Sequence, residues 1–332
     1  MKIAWTNSAQ KKRKERTMEK ISLIIPCYNE EESLPYLFAE LKKVTAEMPE
    51  YDFEMLFVDD GSKDKTLQLL REMGKEDARV KYISFSRNFG KEAAMYAGFC
   101  NVTGDYAAVM DADMQDPPSL LPKMMEIIKT GEYDSVATRR ETRKGEPKLR
   151  SFFARTFYKM INKVSDADIV DGARDFRLMK RAMVDSIVAM SERDRFSKGI
   201  FGWIGFRTYW LPYENVERVA GQTKWSFKKL FKYSIDGIVD FSDAPLKIST
   251  GLGIFSMLGF LGMLIFALVR TIGYDYPIMD WPLLVSVMCF LTGLVLICLG
   301  IVGIYIAKIF KETKHRPGYI IGETNKDDAV SK

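Results

Sequence analysis

Three oxygen-bearing side chains stand two residues apart in the first half of the chain. Asp111, Asp113 and Gln115 follow an apolar run at 106–110 that predicts a β-strand. At a strand end, residues two apart point to the same side, so these three side chains can converge on one point. Hard oxygen ligands of this kind suit Mg²⁺ or Mn²⁺ shared with a diphosphate. The motif therefore indicates a divalent metal site.

A second pair of carboxylates follows another predicted strand. Asp59 and Asp60 stand before a Gly-Ser turn, and a helix cap would explain one of them but not both. An exposed carboxylate at this place can accept hydrogen bonds from a nucleobase imide or a ribose. Together with Tyr28 and Glu30, the pair indicates a nucleotide pocket.

The composition excludes several other chemistries. The single histidine, His315, cannot supply a Ser-His-Asp relay or a His-rich metal site within this chain. No GxGxxG follows the first predicted strand, and Gly90-Lys91 lacks the remaining residues of a Walker loop. The net charge of +5 is too small for a general nucleic-acid binder, so we expect no nucleic-acid partner.

Short apolar runs alternate with amphipathic runs from residue 20 to residue 138. Such alternation predicts strand–helix–strand units, a mostly parallel sheet covered on both faces, and ligands bound at the carboxyl ends of the strands. Residues 171–178 are expected to be irregular. The predicted strands are 21–25, 53–58, 80–85, 106–110 and 135–138, and the predicted helices lie near 31–47, 64–77, 91–101, 119–129, 150–164 and 180–190.

Two long runs near the C-terminus lack charged residues. Residues 248–269 and 283–307 contain no Asp, Glu, Lys or Arg. The first run alone would span about 33 Å as a helix, enough to cross a bilayer. Two successive runs of this length favour membrane spans over a buried hairpin. Because basic residues flank their outer ends, the positive-inside rule places both termini and the globular part in the cytoplasm; these residues are Lys228, Lys229, Lys232, Lys247, Lys308, Lys311, Lys314 and Arg316.

Residues 225–241 show apolar side chains at helical spacing opposite several lysines. Two interpretations stay open for this helix. It packs against its own domain, or it lies on anionic lipid just before the first span.

Five motifs, in order along the chain, resemble those of family 2 glycosyltransferases with the GT-A fold, and most closely those of the polyprenyl-phosphate glycosyltransferases. The resemblance runs from about residue 21 to the second span and implies an α/β, Rossmann-like GT-A domain with a mostly parallel sheet, an interfacial amphipathic helix and two transmembrane helices. The motifs are Pro26-Cys27-Tyr28-Asn29-Glu30-Glu31, Val58-Asp59-Asp60-Gly61-Ser62, Ser86-Arg87-Asn88-Phe89-Gly90-Lys91, the run from Asp111 to Pro118, and Asp175-Phe176-Arg177-Leu178.

The resemblance also implies roles for individual residues. Nucleoside contacts fall to Pro26, Tyr28, Glu30, Asp60 and Asp111. The residues expected to bind the metal on the diphosphate are Asp111, Asp113 and Gln115. The expected catalytic residues are Asp113 and Asp175, and Asp175 would assist the acceptor. Phosphate contacts fall to Arg139, Arg177, Arg218 and Lys224. For Arg177, a salt bridge to Asp175 or Asp171 is an equally weighted alternative. Gln222 stands where relatives are expected to carry Glu, which puts a charge-dependent role there in doubt.

These inferences define an expected domain order and function. The order is a basic leader (1–19), a catalytic domain (20–224), a juxtamembrane helix (225–247), a span (248–270), an outer loop (271–282), a second span (283–307) and a cytoplasmic tail (308–332). The expected enzyme is an inverting, Mg²⁺- or Mn²⁺-dependent glycosyltransferase of the inner membrane. It moves glucose or an N-acetylhexosamine from a UDP-sugar to undecaprenyl phosphate, and by resemblance it can form a homo-oligomer such as a tetramer. The alternatives are a GDP-mannose-dependent mannosyltransferase and a catalytically silent scaffold that binds nucleotide sugar.

Overall fold

The computed structural model describes residues 18–140, 170, 172–213, 244–274, 281–327 and 329–330. Several predictions lie outside these residues: the leader up to residue 17, the helix at 150–164, the residues Arg218, Gln222 and Lys224, and most of the amphipathic segment 225–247.

Within the described residues, eight strands form one mixed sheet in the order β7-β5-β6-β4-β1-β2-β3-β8. Strands β6 and β8 run antiparallel to their neighbours, whereas the other paired strands run parallel. The predicted α/β class with a mostly parallel sheet is confirmed. The strands are β1 (Glu19–Cys27), β2 (Tyr51–Asp59), β3 (Val80–Phe85), β4 (Tyr106–Val109), β5 (Ser135–Arg140), β6 (Ala173–Lys180), β7 (Thr208–Tyr213) and β8 (Ile321–Thr324).

Helices cover both faces of the sheet. One face packs against α1 (Leu34–Ala46), α2 (Thr66–Glu76) and α4 (Leu121–Lys129), which follows a 3₁₀ turn. The other packs against α3 (Lys91–Asn101), α5 (Arg181–Ala189) and α6 (Ser197–Trp203).

The central strands are apolar on both sides because each side faces a helical layer. In β1, Leu23 and Ile25 join the core beneath α1, while Ile24 joins the core beneath α3, and all three are fully buried. This is the pattern expected of a parallel strand covered on both faces. It explains why the central strands could be found from the sequence.

Strand β6 corrects the prediction that residues 171–178 are irregular. It lies antiparallel between β4 and β5. Phe176 and Leu178 enter one core, and Met179 enters the other. Four charged residues among the eight of β6 hid the apolar alternation, and an antiparallel strand falls outside a simple strand–helix–strand pattern.

The C-terminal segment also departs from the predicted tail, because part of it belongs to the catalytic sheet. Strand β8 pairs with the edge strand β3. Tyr319, just before it, is fully buried and stacks on Phe85 with ring centroids 5.0 Å apart. The chain thus returns to the catalytic domain after its second long helix.

Along the chain, two long apolar helices, α7 (Ala244–Tyr274) and α8 (Trp281–Thr313), come between β7 and the returning segment. Pro245–Met263 and Phe290–Thr313 are long and apolar enough to cross a membrane. Only 6% of the first stretch and 0% of the second is buried, so neither is the core helix of a soluble domain. Large exposed apolar surfaces of this kind mark membrane or protein contact.

Candidate active site

Lys91 joins two carboxylates at the carboxyl end of the sheet. It is the first residue of α3, while Asp111 follows β4 and Asp175 lies in β6. The ammonium of Lys91 is 2.6 Å from Asp111 Oδ1 and also donates a short hydrogen bond to Asp175 Oδ2. We call these three residues the carboxylate–lysine cluster. The structure thus brings together two predicted site residues through a third that was not predicted.

The charges of the cluster depend on one another. Burial raises the pKa of Asp111, although Lys91 opposes that rise. Burial would also raise the pKa of Asp175, but Lys91, helped by Lys198, more than offsets it and holds the pKa well below its usual range. A carboxylate with a depressed pKa is a weak base, so Asp175 is better suited to orienting a partner than to removing a proton.

The structure does not hold Asp111, Asp113 and Gln115 on one extended strand, as the sequence predicts, and their common metal site stays a prediction. Strand β4 ends at Val109, so the two-residue alternation does not continue, and Met114 adopts a positive φ of 60°. No group of three or more His, Cys, Asp or Glu side chains placed to hold a metal occurs in the described residues.

The three predicted ligands instead bind protein groups. Asp111 pairs with Lys91, Asp113 Oδ1 accepts a hydrogen bond from the Gln115 amide at 3.1 Å, and Gln115 Oε1 accepts one from Arg174 at 3.1 Å. As a donor set, two carboxylates and an amide oxygen still suit a hard cation. Mg²⁺ is commonly held by one or two carboxylates plus the phosphates of the substrate. The residues therefore fit a metal that arrives with a diphosphate.

Arg174 links the predicted metal residues to a buried polar group. Its Nε lies 3.2 Å from Asp116 Oδ1 and 3.1 Å from Tyr213 Oη, and Tyr213 also donates to Asp116. Asp116 is only 2% exposed. Burial raises its pKa, while Arg174 and the Tyr213 hydroxyl favour the charged form. This network fixes the turn that carries Gln115.

The loops after β1 and β2 are tied together by side-chain hydrogen bonds to the backbone. The Asn29 amide donates to Ser62 Oγ at 2.9 Å, and the Lys63 amide donates to Asn29 Oδ1 at 2.8 Å. The Glu30 amide donates to Thr66 Oγ1 at 2.8 Å. Pro26, Tyr28 and Glu30 are partly exposed. The structure thus places Tyr28 and Glu30 on a braced, solvent-reachable loop and Pro26 at the end of the strand before it.

Asp60 differs from the expected exposed carboxylate, since it is only 3% exposed. It accepts hydrogen bonds from the backbone amides of Phe89 and Gly90 at 2.6 and 2.9 Å, and burial raises its pKa to about 6. Gly61, at φ 67°, allows this approach, because a Cβ there would lie 2.5 Å from the Arg87 carbonyl carbon. Asp60 therefore positions the loop before Lys91.

Asp59 likewise has a structural role in this loop, with 1% of its surface exposed. Its two oxygens accept hydrogen bonds from the Ser62 amide at 3.0 Å and the Ser84 hydroxyl at 2.7 Å. The expectation that one carboxylate of the pair is exposed is therefore wrong, because both are needed to hold backbone and hydroxyl donors at this turn.

The predicted phosphate contacts divide by exposure. Arg139 is exposed near the end of β5. Arg177 is 3% exposed and donates to Ser135 Oγ and Thr208 Oγ1 at 3.3 and 3.2 Å. Its hydrogen bonds among the described residues do not reach Asp175, so that salt bridge is not formed, and Asp171 lies outside them. Phosphate binding by either arginine stays a prediction.

Sequence reasoning missed three cations near the site. Lys91 was tested only as part of a Walker loop, yet it follows a Ser-Arg-Asn-Phe-Gly run at a strand end, which is a signal for a site residue. Arg174 stands next to Asp175 in sequence. Lys198 donates to the Ala173 carbonyl at 3.1 Å, and nothing in the sequence around it indicates this placement.

Comparison with known proteins gives consistent matches over most of the chain. The family profile described as glycosyl transferase family 2 matches residues 22–188. The Bacillus subtilis (strain 168) protein CsbB is 44% identical over 92% of both chains. The bactoprenol glucosyl transferase of Shigella phage SfX is 38% identical over 91% of this chain and 98% of its own. The prophage bactoprenol glucosyl transferase homolog of Escherichia coli (strain K12) is 38% identical over 92% of this chain and 100% of its own.

Proposed function

Since the chain belongs to glycosyl transferase family 2 and is a glycosyltransferase, we propose that it moves glucose or an N-acetylhexosamine from a UDP-sugar to undecaprenyl phosphate, inverting the anomeric carbon at the cytoplasmic face of the membrane. The relatives named as bactoprenol glucosyl transferases support a lipid-carried acceptor.

The observation that carries this proposal is the attachment of α8 to the catalytic domain. At the end of this helix, Lys311 Nζ lies 2.9 Å from Asp194 Oδ2, and Glu312 Oε1 accepts a hydrogen bond from the Arg193 amide at 2.7 Å. This long, exposed apolar helix therefore ends against the loop that leads into α6. An acceptor whose tail stays in the bilayer would be presented near this loop.

A short chain of contacts joins that loop to the carboxylate–lysine cluster. Ser197, the first residue of α6, donates to Glu92 Oε2 through its amide at 3.1 Å and its hydroxyl at 2.5 Å. Glu92 is the neighbour of Lys91 on α3. The contacts support a catalytic rim that lies close to the membrane surface.

Charge distribution supports a cytoplasmic catalytic domain. Lys308, Lys311, Lys314 and Arg316 cluster at the end of α8 that contacts the catalytic domain. Basic residues at a span end favour the cytoplasmic side. The same cations would raise the local concentration of anionic lipid, including a lipid phosphate.

The diphosphate of the donor would share a divalent ion with Asp111 and Asp113, and Gln115 is the third oxygen donor in reach of that turn. When bound, such an ion stabilises the charge that develops on the leaving nucleoside diphosphate. The chain's own contribution is to hold Asp111 and Asp175 beside Lys91. Lys91 keeps both from repelling the incoming diphosphate.

The acceptor phosphate is the proposed nucleophile. A phosphate monoester has a second pKa of about 6, so at neutral pH it is largely a dianion and needs no strong base. One of its oxygens forms the new bond to the anomeric carbon while the bond from that carbon to the diphosphate breaks. Asp175, ionised and held by Lys91, would orient the acceptor and its neighbours.

A donor screen tests this function. The purified full-length protein is incubated with undecaprenyl phosphate and, in parallel, with UDP-glucose, UDP-N-acetylglucosamine and GDP-mannose, and the lipid product is identified by mass spectrometry. The proposal expects a product of one added sugar with a UDP-sugar. If only GDP-mannose gives a product, the donor is a GDP-sugar and not a UDP-sugar. If the protein binds a donor without turnover, it is a scaffold that binds nucleotide sugar.

A further inference from the structure

A cavity of about 220 Å³ lies between β6, β7 and α6. Arg174 and Arg177, which flank Asp175 on β6, both line it. The Lys198 side chain lines it as well and acts on the charge of Asp175. The cavity therefore lies next to the carboxylate–lysine cluster. The proposed transfer reaction assigns no role to it.

Arg177 is the buried charge in the wall of this cavity. Two hydroxyls accept hydrogen bonds from its Nη1, but its Nε is buried without any hydrogen-bond partner among the described residues. Leaving a buried donor unsatisfied is costly, more so on a charged group. Burial accordingly lowers the pKa of Arg177 to about 10. An anion in the cavity would satisfy both the donor and the charge.

The remaining polar wall also favours an anion. Lys198 and Arg174 add two further cations, and no carboxylate is among the residues described as lining the cavity. Arg174 is held in place by Asp116 and Gln115. Asp116 is a negative partner for Arg174, and Asp175 acts on Lys198 and Arg177, so an anion in the cavity would serve chiefly the unsatisfied Nε of Arg177.

Apolar groups form the rest of the wall. Phe201, Phe206 and Trp210 line the cavity, and the Arg177 guanidinium lies 4.6 Å from the ring centre of Phe201 and 5.2 Å from that of Trp210. A cavity of about 150 Å³ is enough to bind benzene. The present cavity therefore has room for a phosphate and a small apolar group. A free phosphate ion would leave its aromatic side chains in contact with water.

We propose that this cavity binds the acceptor's phosphate monoester together with the first isoprene unit of its chain, with Arg177 Nε donating to a phosphate oxygen and the aromatic side chains covering the hydrocarbon. The inference rests on the proposed function, because it names where the lipid acceptor of that reaction is held. It narrows the predicted phosphate contact of Arg177 to the acceptor and adds Trp210 to acceptor recognition.

Binding to the full-length protein in detergent tests the cavity directly. Farnesyl monophosphate, inorganic phosphate and farnesol are titrated separately by isothermal calorimetry. We expect farnesyl monophosphate to bind more tightly than either fragment. Equal affinity for inorganic phosphate would indicate a free-phosphate site, and equal affinity for farnesol would indicate an apolar site; each result would overturn the proposal.

Two pairs of variants assign the binding to the wall. Arg177→Met should weaken farnesyl monophosphate binding by about ten- to a hundredfold, the effect of losing hydrogen bonds to a charged group. Arg195→Met is the matched control, because Arg195 is a partly buried arginine that also lies over an aromatic ring, Tyr96, but it lies outside the cavity. Trp210→Leu should weaken farnesyl monophosphate binding without changing phosphate binding, whereas Trp203→Leu, at an exposed position, should change neither.

Circular dichroism checks that each variant is folded. If Arg177→Met does not fold, Trp210→Leu and its control Trp203→Leu still test the proposal. Unchanged farnesyl monophosphate affinity in folded Arg177→Met or in Trp210→Leu contradicts the proposal.

Turnover measurements distinguish failure of the cavity assignment from failure of the proposed function. If the wild type glycosylates undecaprenyl phosphate and the acceptor KM is the same in Arg177→Met, the cavity assignment fails and the function stands. If the wild type glycosylates no lipid phosphate yet Arg177 is needed to bind farnesyl monophosphate, the function fails and the cavity stands as a prenyl-phosphate site.

Discussion

At the scale of single residues, Lys91 decides how the acidic side chains behave. Without it, Asp111 and Asp175 would be two like charges in a partly buried rim, and one would take up a proton. With it, both carboxylates contact one ammonium, which opposes the rise in the pKa of Asp111 and holds the pKa of Asp175 well below its usual range. In the proposed function, this arrangement would let the rim receive a diphosphate with its metal.

Asp113→Asn should lower kcat by about a hundredfold or more, since loss of one electrostatic term at a transition state has this size. Asp113 is a partly exposed turn residue, so the fold should be unaffected. Steady-state sugar transfer and circular dichroism measure the two effects, with Asp185→Asn, an exposed change on α5, as the control. Near-normal turnover in Asp113→Asn, together with insensitivity to EDTA, would remove the metal role.

Asp175→Asn should cost less activity than Asp113→Asn if Asp175 orients the acceptor. The acceptor phosphate becomes a dianion as pH rises through about 6, so the remaining activity should rise with pH from about 6 to 7. The measurement is kcat and acceptor KM across that range. A raised KM at constant kcat would mean lost acceptor binding. An enzyme as inactive as Asp113→Asn at every pH would make Asp175 an obligatory base.

The sequence located the acidic residues but not their partners. Asp111 could be placed on the rim because it follows a predicted strand, whereas Asp175 was assigned to the site only by the family resemblance. The short contacts with Lys91 depend on how α3 packs across the sheet, which no local pattern records. For Asp60, residue type and position predicted a nucleotide contact, which stays a prediction, but did not reveal that its oxygens accept hydrogen bonds from the Phe89 and Gly90 amides.

At the scale of elements, β8 ties the end of the chain to the catalytic sheet. Glu54 in β2 is 5% exposed and pairs with Lys326 just after β8 at 2.8 Å, and it also accepts a hydrogen bond from Ser22. Although burial opposes it, the charge of Lys326, with that of Lys20, lowers the pKa of Glu54 to about 2. The pair joins the returning segment to the centre of the domain.

Glu54→Gln should destabilise the catalytic domain by about 3–5 kcal/mol, because it leaves the buried Lys326 without its partner. The pKa of Glu54 is lower in the folded state, so its contribution is complete above its ordinary value of 4.5 and is lost as pH falls toward 2. The difference between wild type and variant should therefore shrink over that window. Chemical unfolding at pH 7, 4 and 3 measures it.

Glu50→Gln, at an exposed position four residues away, is the matched control and should unfold like the wild type. Hydrogen exchange adds a local measure: the amides of β8 should exchange faster in Glu54→Gln. Equal exchange and equal stability at pH 7 would show that the Glu54–Lys326 pair does not hold the segment.

Prediction of strands and helices from the sequence succeeded where one hydrophobic pattern dominates the segment. The apolar strands β1 to β5 and the helices between them were found because parallel strands covered on both faces are continuously apolar. Strand β6 was missed because charged site residues occupy alternate positions. Strand β8 was missed because it is four residues long, and its polar sequence forms a strand only by pairing with the edge of β3.

At the scale of the whole molecule, the chain combines a charged catalytic domain with two exposed apolar helices. A water-soluble protein would rarely expose so large an apolar surface. The C-terminal end of α8 and the following segment both contact the catalytic domain. The orientation of the helices in a bilayer would therefore also set the side on which the catalytic rim lies.

Reporter fusions test this orientation. A reporter after Lys332 should read cytoplasmic, and one inserted near Tyr276, between the two apolar helices, should read extracytoplasmic, because basic residues flank the outer ends of the pair. Alkaline phosphatase and green fluorescent protein fusions measure the two positions. The opposite pattern would place the catalytic rim away from cytoplasmic nucleotide sugars and would contradict the proposed function.

The proposed reaction requires that the acceptor's phosphate, held at this rim, takes the sugar. The most direct measurement follows transfer of radiolabelled sugar from its UDP donor in proteoliposomes that contain either undecaprenyl phosphate or undecaprenol. We predict labelled lipid and an equal amount of UDP with undecaprenyl phosphate and the wild-type protein, and none with undecaprenol. Equal labelling of undecaprenol, or UDP release without labelled lipid when undecaprenyl phosphate is present, would contradict it.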